Sequence, residues 1–293
     1  MPLIIMSTLA FGLSKINIID YHKLNQNYLQ QNVFYKYHLE LSESDIHQRC
    51  YKPSLGIKVH FVKNLDSTVT EPIILIDNNK IKREGLGANI VSFRNNGREI
   101  MKPFIYTRLF IDKNIEMQYV NKLFKELRKV NMRKVSFAVV PKQREYNIQF
   151  YRNRVFKMKL HPLDEDIPLI KKVIKIADSL SNIIEIKQSN SGQTFINKKL
   201  VTDTQIEEHL QKLMELKPDY VIKYYINDEV HFANYLKIHI ALRKIINEFR
   251  ELYAQRIYGK HYYSLSREIT RKVKGKYPIK IIDITSEIKE YIK

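Results

Sequence analysis

The stretch Phe104–Val140, FIYTRLFIDKNIEMQYVNKLFKELRKVNMRKVSFAVV, predicts a complete β-α-β unit. Its first eight residues are mostly apolar and aromatic, as is typical of a buried strand. Its last six, Val135–Val140, predict a second strand that Pro141 ends. Between the two strands, apolar residues recur every three or four positions, so they share one face of an amphipathic helix. These residues are Val120, Leu123, Phe124, Leu127 and Val130.

The residues before this unit predict a strand and a hairpin. Ile57–Val62 alternates in polarity, as a half-buried strand does. Ile73–Ile76 is followed by Asp77-Asn78-Asn79-Lys80 and then Ile81. Asp and Asn tolerate turn conformations, so this segment predicts strand, turn and strand. Gly85–Gly97 contains three glycines and two adjacent asparagines, which predicts a loop.

The second half of the chain repeats this order. Thr202 and Gln205 have the spacing of a capping box at the start of a helix. Gly259 has the residue type that commonly follows the end of a helix. The predicted elements are a hairpin at 183–196, a helix behind the capping box, a strand at 220–226, a long amphipathic helix from about 230 and a strand at 279–284.

Two halves with one element order suggest an internal duplication. We therefore expect an α+β protein of two small sandwich modules, each a β-sheet with amphipathic helices on one face. The modules are predicted at 55–141 and 181–293. Residues 142–180 are predicted to be a linker with a possible helix.

The composition is that of a globular protein, with 44% hydrophobic and 28% charged residues in 293. Cys50 is the only cysteine, which excludes an intrachain disulfide and a cysteine-rich zinc site. The formal net charge of +19 favours phosphates, anionic lipids and acidic polymers as ligands. The basic residues are spread along the whole chain, together with many Ile and Asn residues, so a bias of composition also accounts for the charge.

The N-terminal residues contain an apolar run, Leu3–Leu13. It is shorter than the roughly twenty residues that a membrane span needs. Ala10-Phe11-Gly12 resembles the site that ends an export signal, although no positive residues precede the run. Residues 1–20 are therefore expected to be an export signal or a truncated membrane anchor, with a buried strand or helix as the alternative.

The sequence lacks the common signatures of catalysis and of metal or cofactor binding. It contains no Gly-rich phosphate loop, HExxH motif or nucleophile elbow. Cys50 has cationic neighbours, but no residue is placed to orient a base. His231 and His239 are eight residues apart, farther than helical metal ligands usually lie. We therefore expect a protein that is not an enzyme and that has no catalytic, cofactor or metal residues.

Two basic stretches rich in aromatic residues leave a second function open. Arg144–Lys159 and Tyr258–Tyr277 combine residues that stack on bases with residues that neutralise phosphate. No RNP, KH or helix-turn-helix signature accompanies them. A basic nucleic-acid-binding protein is the alternative interpretation, and nucleic acid is not the expected partner.

Two patches of the chain resemble the periplasmic domain of the ExbD/TolR family of biopolymer transport proteins. Residues 111–141 resemble its strand, helix and strand, with Asn131-Met132 where the family usually has Ala-Gly. Residues 195–238 are similar to its hairpin, helix, strand and the start of its last helix. The tail at 242–283 resembles Bacteroidetes-type members, with a "YGK" turn and a "KYP" strand. The matching residues there are Arg250, Tyr258, Gly259, Lys260, Tyr277, Pro278 and Ile281.

This resemblance implies a non-enzymatic protein of the periplasm, associated with the inner membrane. It would act in proton-motive-force-coupled transport or envelope integrity, with an ExbB/TolQ-like motor subunit and a TonB-like protein as partners. The family's membrane helix carries an ion-conducting aspartate, whereas the N-terminal run here has no acidic residue before Asp20. The family usually has one module per chain, so two modules predict a homodimer or an intrachain pseudo-dimer.

Partner contacts are expected at a sheet edge or at the dimer-like face. The strand Val135–Val140 is predicted to accept a partner strand by backbone pairing. The long helix presents apolar residues that alternate by three and four positions, as a packing seam does. The candidate partner-binding residues are Val135, Phe137, Val139, Tyr235, Leu242 and Phe249.

Overall fold

The computed structural model of the chain describes residues 33–50, 53–65, 71–142, 154–160, 182–216, 219–286 and 289. Within these residues, helices pack against two mixed β-sheets, which confirms the predicted α+β class. The predicted signal or anchor at 1–20 and most of the predicted linker, including its possible helix, lie outside the described residues.

The first half forms a seven-stranded sheet in the order β2-β9-β7-β6-β3-β4-β5. Strands β3, β6 and β7 are parallel, and the remaining neighbours are antiparallel. Strands β1 and β8 form a separate parallel pair. The bounds are β1 Glu43–Ser44, β2 Gln48–Arg49, β3 Gly56–Val62, β4 Ile73–Ile76, β5 Asn79–Ile81, β6 Tyr106–Ile111, β7 Lys134–Ala138, β8 Val140–Pro141 and β9 Arg154–Lys159.

The helices of this half are α1 Val33–Lys36, α2 Leu86–Asn96 and α3 Met117–Lys129. The loop predicted at Gly85–Gly97 was wrong, because α2 occupies that segment. Leu86, Gly87 and Ile90 are its buried residues. A Cβ atom on Gly87 would lie 3.0 Å from the Val130 side chain, so this glycine permits close packing at the end of α3.

The second half forms a five-stranded sheet in the order β12-β11-β10-β13-β14. Strands β10, β13 and β14 are parallel, while β11 and β12 are antiparallel to their neighbours. The bounds are β10 Ile183–Gln188, β11 Thr194–Ile196, β12 Lys199–Val201, α4 Ile206–Leu216, β13 Val221–Tyr225, α5 Phe232–Tyr258, α6 Arg267–Lys276 and β14 Ile281–Ile284.

The two halves share one topology. Each has three antiparallel strands, an eleven-residue helix, a parallel strand, a second helix and a last parallel strand. Each hairpin turns through two residues with positive φ, 48° and 67° at Asp77-Asn78 and 49° and 67° at Asn197-Lys198. This is the pattern of a type I′ turn, which matches the twist of the flanking strands. The similarity therefore extends from strand order to turn geometry.

One hydrophobic core joins the two halves. It includes Leu109 and Phe137 from the first sheet and Ile184 and Tyr224 from the second, all of them fully buried. A smaller cluster covers the other face of the first sheet, where Val33 and Leu39 pack near β3 and β4. Because the larger core is continuous, neither half buries its apolar face without the other.

Candidate functional site

Helices α3 and α5 begin side by side, where an antiparallel bridge joins Glu116 to His231. The Met117 backbone N–H donates to the Val230 carbonyl at 2.8 Å, and the Phe232 N–H donates to the Ile115 carbonyl at 2.7 Å. These two bonds run in opposite directions between matching positions of the two halves. We call the segments 112–118 and 227–233 the junction.

A second reciprocal pair extends the junction. The Gln118 N–H donates to the Asp228 carbonyl at 2.8 Å, and the Ala233 N–H donates to the Lys113 carbonyl at 2.9 Å. The first N–H groups of a helix have no partner within the helix. Here the loop before each helix supplies carbonyl partners to the other helix, so the two halves cap each other around a local two-fold axis.

Aromatic side chains fill the space behind the junction. The rings of Phe137 and Phe232 lie 5.3 Å apart, and those of Phe124 and Tyr235 lie 6.4 Å apart. All four side chains are buried. They link β7 and α3 of the first half to α5 of the second, so the contact between the halves is apolar at its centre.

A buried polar cluster attaches β14 to α5. The Tyr235 hydroxyl donates to the Asp283 carboxylate at 2.9 Å, and the His239 Nε2 atom lies 3.1 Å from the other Asp283 oxygen. The Tyr224 hydroxyl donates to the Gln188 side chain at 2.6 Å. Burial, together with the Asp283 charge, raises the pKa of Tyr224 and Tyr235 well above the usual range. The phenols therefore stay protonated as donors, and the cluster has a structural role.

Two adjoining cavities form a groove beside β9 and α5. The first, about 470 Å³, is here called the apolar chamber, and its apolar lining residues include Leu55, Pro103, Phe104, Val135 and Met158. The second, about 370 Å³, is here called the cationic chamber, and its lining residues include Arg250, Tyr262, Tyr263 and Lys274. Lys157 and Arg243 line both chambers, so the two lie side by side.

The groove is strongly positive. Among the described residues that line it, none is a carboxylate and six are Lys or Arg: Lys134, Lys157, Lys159, Arg243, Arg250 and Lys274. Burial, followed by the charge of Arg250, lowers the pKa of Arg243. Burial also lowers the pKa of Arg250.

Backbone carbonyls hold these guanidinium groups in place. Arg250 donates from Nε and Nη2 to the Tyr277 carbonyl at 3.1 and 2.7 Å. Arg243 donates to the Lys157 carbonyl at 3.4 Å and lies over the Phe156 ring. The two arginines are seven residues apart, about two turns along one face of α5. Two of the six cations in the groove are therefore held by hydrogen bonds to the backbone.

The predicted partner-binding residues lie inside the protein. Strand β7 pairs with β6 on one side and β9 on the other. It has no open edge, so the prediction that it accepts a partner strand was wrong. The reason is that β9 belongs to the segment predicted to be linker. Val135, Phe137, Val139, Tyr235 and Leu242 are buried, and Phe249 is partly buried against the core.

The structure brings together parts of the two basic stretches. Phe156 and Lys157 come from Arg144–Lys159, and Tyr262 and Lys274 come from Tyr258–Tyr277. All four line the cationic chamber. Arg243 was not among the predicted site residues, and Arg250 was not paired with it. Their spacing of seven residues on a predicted helix was the signal available.

Cys50 and the possible metal ligands were the other residues considered from the sequence. Cys50 is buried, with its Sγ atom 2.6 Å from the Tyr106 hydroxyl. Within the described ranges, no group of three His, Cys, Asp or Glu residues is placed to hold a metal ion. None of the helices that the structure describes combines the length and hydropathy that crossing a bilayer requires.

Comparison with known proteins returned no match to any family model, to any curated protein or to any solved structure.

Proposed function

We propose that this chain is a non-enzymatic scaffold protein of the ExbD/TolR type, which works in the cell envelope as an intrachain pseudo-dimer. It would be associated with the inner membrane on its periplasmic side. It would act through contacts with an ExbB/TolQ-like motor subunit and a TonB-like protein, in energy-coupled transport or envelope integrity.

The observation that carries this proposal is the reciprocal bonding of the junction. In a two-fold dimer, residue i of one subunit contacts residue j of the other, and j contacts i. The Met117–Val230 and Phe232–Ile115 bonds follow this rule within one chain. A single chain thus supplies the pair of modules that the resembling family would assemble from two chains.

The edge of β14 is the proposed contact surface for a partner. In the first half, β9 pairs antiparallel with the outer edge of β7. Strand β14 is the equivalent of β7 in the second half. Within the described residues, β14 pairs with β13 alone, so its outer edge has no strand beside it there. An extended segment of a partner would add to β14 as β9 adds to β7, with main-chain hydrogen bonds supplying affinity.

Protease accessibility in intact cells and in spheroplasts tests the location. The full chain with its native N-terminus should be cleaved only after the outer barrier is opened. Protection until the inner membrane is lysed would refute the envelope assignment.

Analytical ultracentrifugation of the purified full chain tests the pseudo-dimer. We expect the mass of one chain, 35.0 kDa, at all concentrations. A stable two-chain species that persists on dilution would refute the proposal that one chain forms the complete unit.

Site-specific photo-crosslinking tests the edge. A photoreactive residue at Ile279, beside β14, should capture the motor subunit or the TonB-like protein in cells. The same residue at Leu252, which is 62% exposed on α5, is the matched control. Equal capture from both positions, or capture from Leu252 alone, would contradict the proposed edge.

A further inference from the structure

We propose that the groove binds an anionic amphiphile, a molecule with a phosphate headgroup and an acyl chain. The headgroup would occupy the cationic chamber and the chain would occupy the apolar chamber. This inference goes beyond the scaffold function, because it assigns a ligand-binding site.

The cationic chamber suits a phosphate group. Arg243 and Arg250 are held by backbone carbonyls, and Lys157 and Lys274 reach the same space from β9 and α6. Hydrogen bonds between guanidinium groups and phosphate are charge-assisted and strong. The described residues that line this chamber include four cations and no carboxylate.

The apolar chamber suits a hydrocarbon chain. Its volume of about 470 Å³ is within the usual range for small-molecule sites. Phe104, at its rim, is 62% exposed, and the nearby Ile100 is 76% exposed. Each methylene of a ligand that is buried there should raise affinity about fourfold.

The juxtaposition of the two chambers favours an amphiphile over nucleic acid. Single-stranded nucleic acid binds where successive bases can stack on aromatic rings along a basic track. Tyr263, 79% exposed, offers such a ring in the cationic chamber. The adjoining chamber combines aliphatic and thioether side chains, such as Leu55, Val135 and Met158, with cations at its walls, including Lys134 and Lys159. The aliphatic side chains offer contact to a hydrocarbon chain, whereas they cannot stack on a base as an aromatic ring does.

Isothermal titration calorimetry of the full chain measures how much the headgroup and the hydrocarbon chain each contribute to affinity. The probes are dodecyl phosphate below its critical micelle concentration, dodecyl maltoside, inorganic phosphate and a twelve-nucleotide oligothymidylate. We expect 1:1 binding of dodecyl phosphate, with the maltoside and inorganic phosphate at least tenfold weaker. Equal affinity for dodecyl phosphate and inorganic phosphate would refute the role of the apolar chamber. Tighter binding of the oligothymidylate than of dodecyl phosphate, with a steep salt dependence, would assign the groove to nucleic acid instead.

Paired variants test the location of the ligand. Lys157→Gln combined with Lys274→Gln should weaken dodecyl phosphate binding roughly tenfold, since exposed ion pairs contribute modestly. Lys82→Gln combined with Lys199→Gln removes the same charge from exposed positions on the two hairpins and should change binding less than twofold. Equal losses in both pairs would show that net charge, not the groove, attracts the ligand.

A second pair of variants tests the apolar chamber. Phe104→Ser should weaken dodecyl phosphate binding roughly fivefold by removing apolar contact area. Leu216→Ser replaces an exposed apolar residue at the end of α4, at 78% exposure, and should leave binding unchanged. Both positions are exposed, so neither variant is expected to disturb folding. An unchanged affinity in Phe104→Ser would contradict the placement of the chain.

Discussion

Acid should destabilise this protein through His60, a buried histidine on β3. Its ring stacks on Phe110 with the centroids 4.6 Å apart. Burial, followed by the positive charges of Lys58 and Arg108, lowers the pKa of His60 from 6.5 to about 4. The folded state therefore favours the neutral imidazole.

The direction and size of the effect follow from proton linkage. The unfolded chain binds the proton more tightly than the folded one, so stability is lost as pH falls below about 6.5 and levels off near pH 4. With these two pKa values, lowering the pH from 7 to 4.5 should cost about 2 kcal/mol through His60 alone. That is a large fraction of the stability of a typical domain.

Urea denaturation at pH 7 and pH 4.5 measures this loss. His60→Gln removes the titrating group, so over this interval its stability should fall by about 2 kcal/mol less than that of the wild type. His209→Gln, a half-buried histidine on α4, is the control and should lose as much as the wild type. Equal losses in the wild type and His60→Gln would refute the reasoning.

Three further perturbations test the junction, the hairpin and the polar cluster. Phe232→Ala should lower the free energy of unfolding by about 3–5 kcal/mol, because the side chain is buried against Phe137. Thermal unfolding should remain a single transition if both halves share the core. The control, Leu252→Ala on the exposed face of α5, should change the free energy of unfolding little. Lys198→Gly should raise the melting temperature, with a gain of about 0.5–1 kcal/mol, because glycine adopts the φ of 67° at this turn without strain; a lower melting temperature would contradict the type I′ assignment. Tyr235→Phe should cost about 1–3 kcal/mol in chemical denaturation, since the partly buried Asp283 carboxylate loses a donor. No loss would mean that this bond contributes nothing to stability.

Hydrophobic periodicity predicted the elements whose faces differ strongly in polarity. Helix α3 was predicted because its apolar residues share one face, and α5 because its apolar seam runs over many turns. Helix α2 was missed because only Leu86, Gly87 and Ile90 are buried, and its glycines resemble loop residues. That glycine content is explained by the contact of Gly87 with Val130, which involves residues far apart in sequence.

Local sequence patterns did not predict strand β9 or the groove. In β9, basic residues at Lys157 and Lys159 alternate with Phe156 and Met158, and the charge of the surrounding segment masked the alternation. The groove combines side chains from β9, α5 and α6, which are separated by some 120 residues in sequence. The spacing of residues along the chain does not show that these side chains lie close together. They do so only because β9 joins the first sheet beside α5.

The repetition of one topology within a single chain also changes how a substitution acts. In a dimer of identical subunits, every substitution appears twice and the two faces must stay alike. Here each substitution appears once, so one half can carry features that the other lacks. The helix that follows the junction is 13 residues long in the first half and 27 in the second, where α6 also precedes the last strand. Arg250, Tyr262 and Lys274 of the cationic chamber belong to this extra length, so one chain carries once a surface that a symmetric dimer would carry in duplicate.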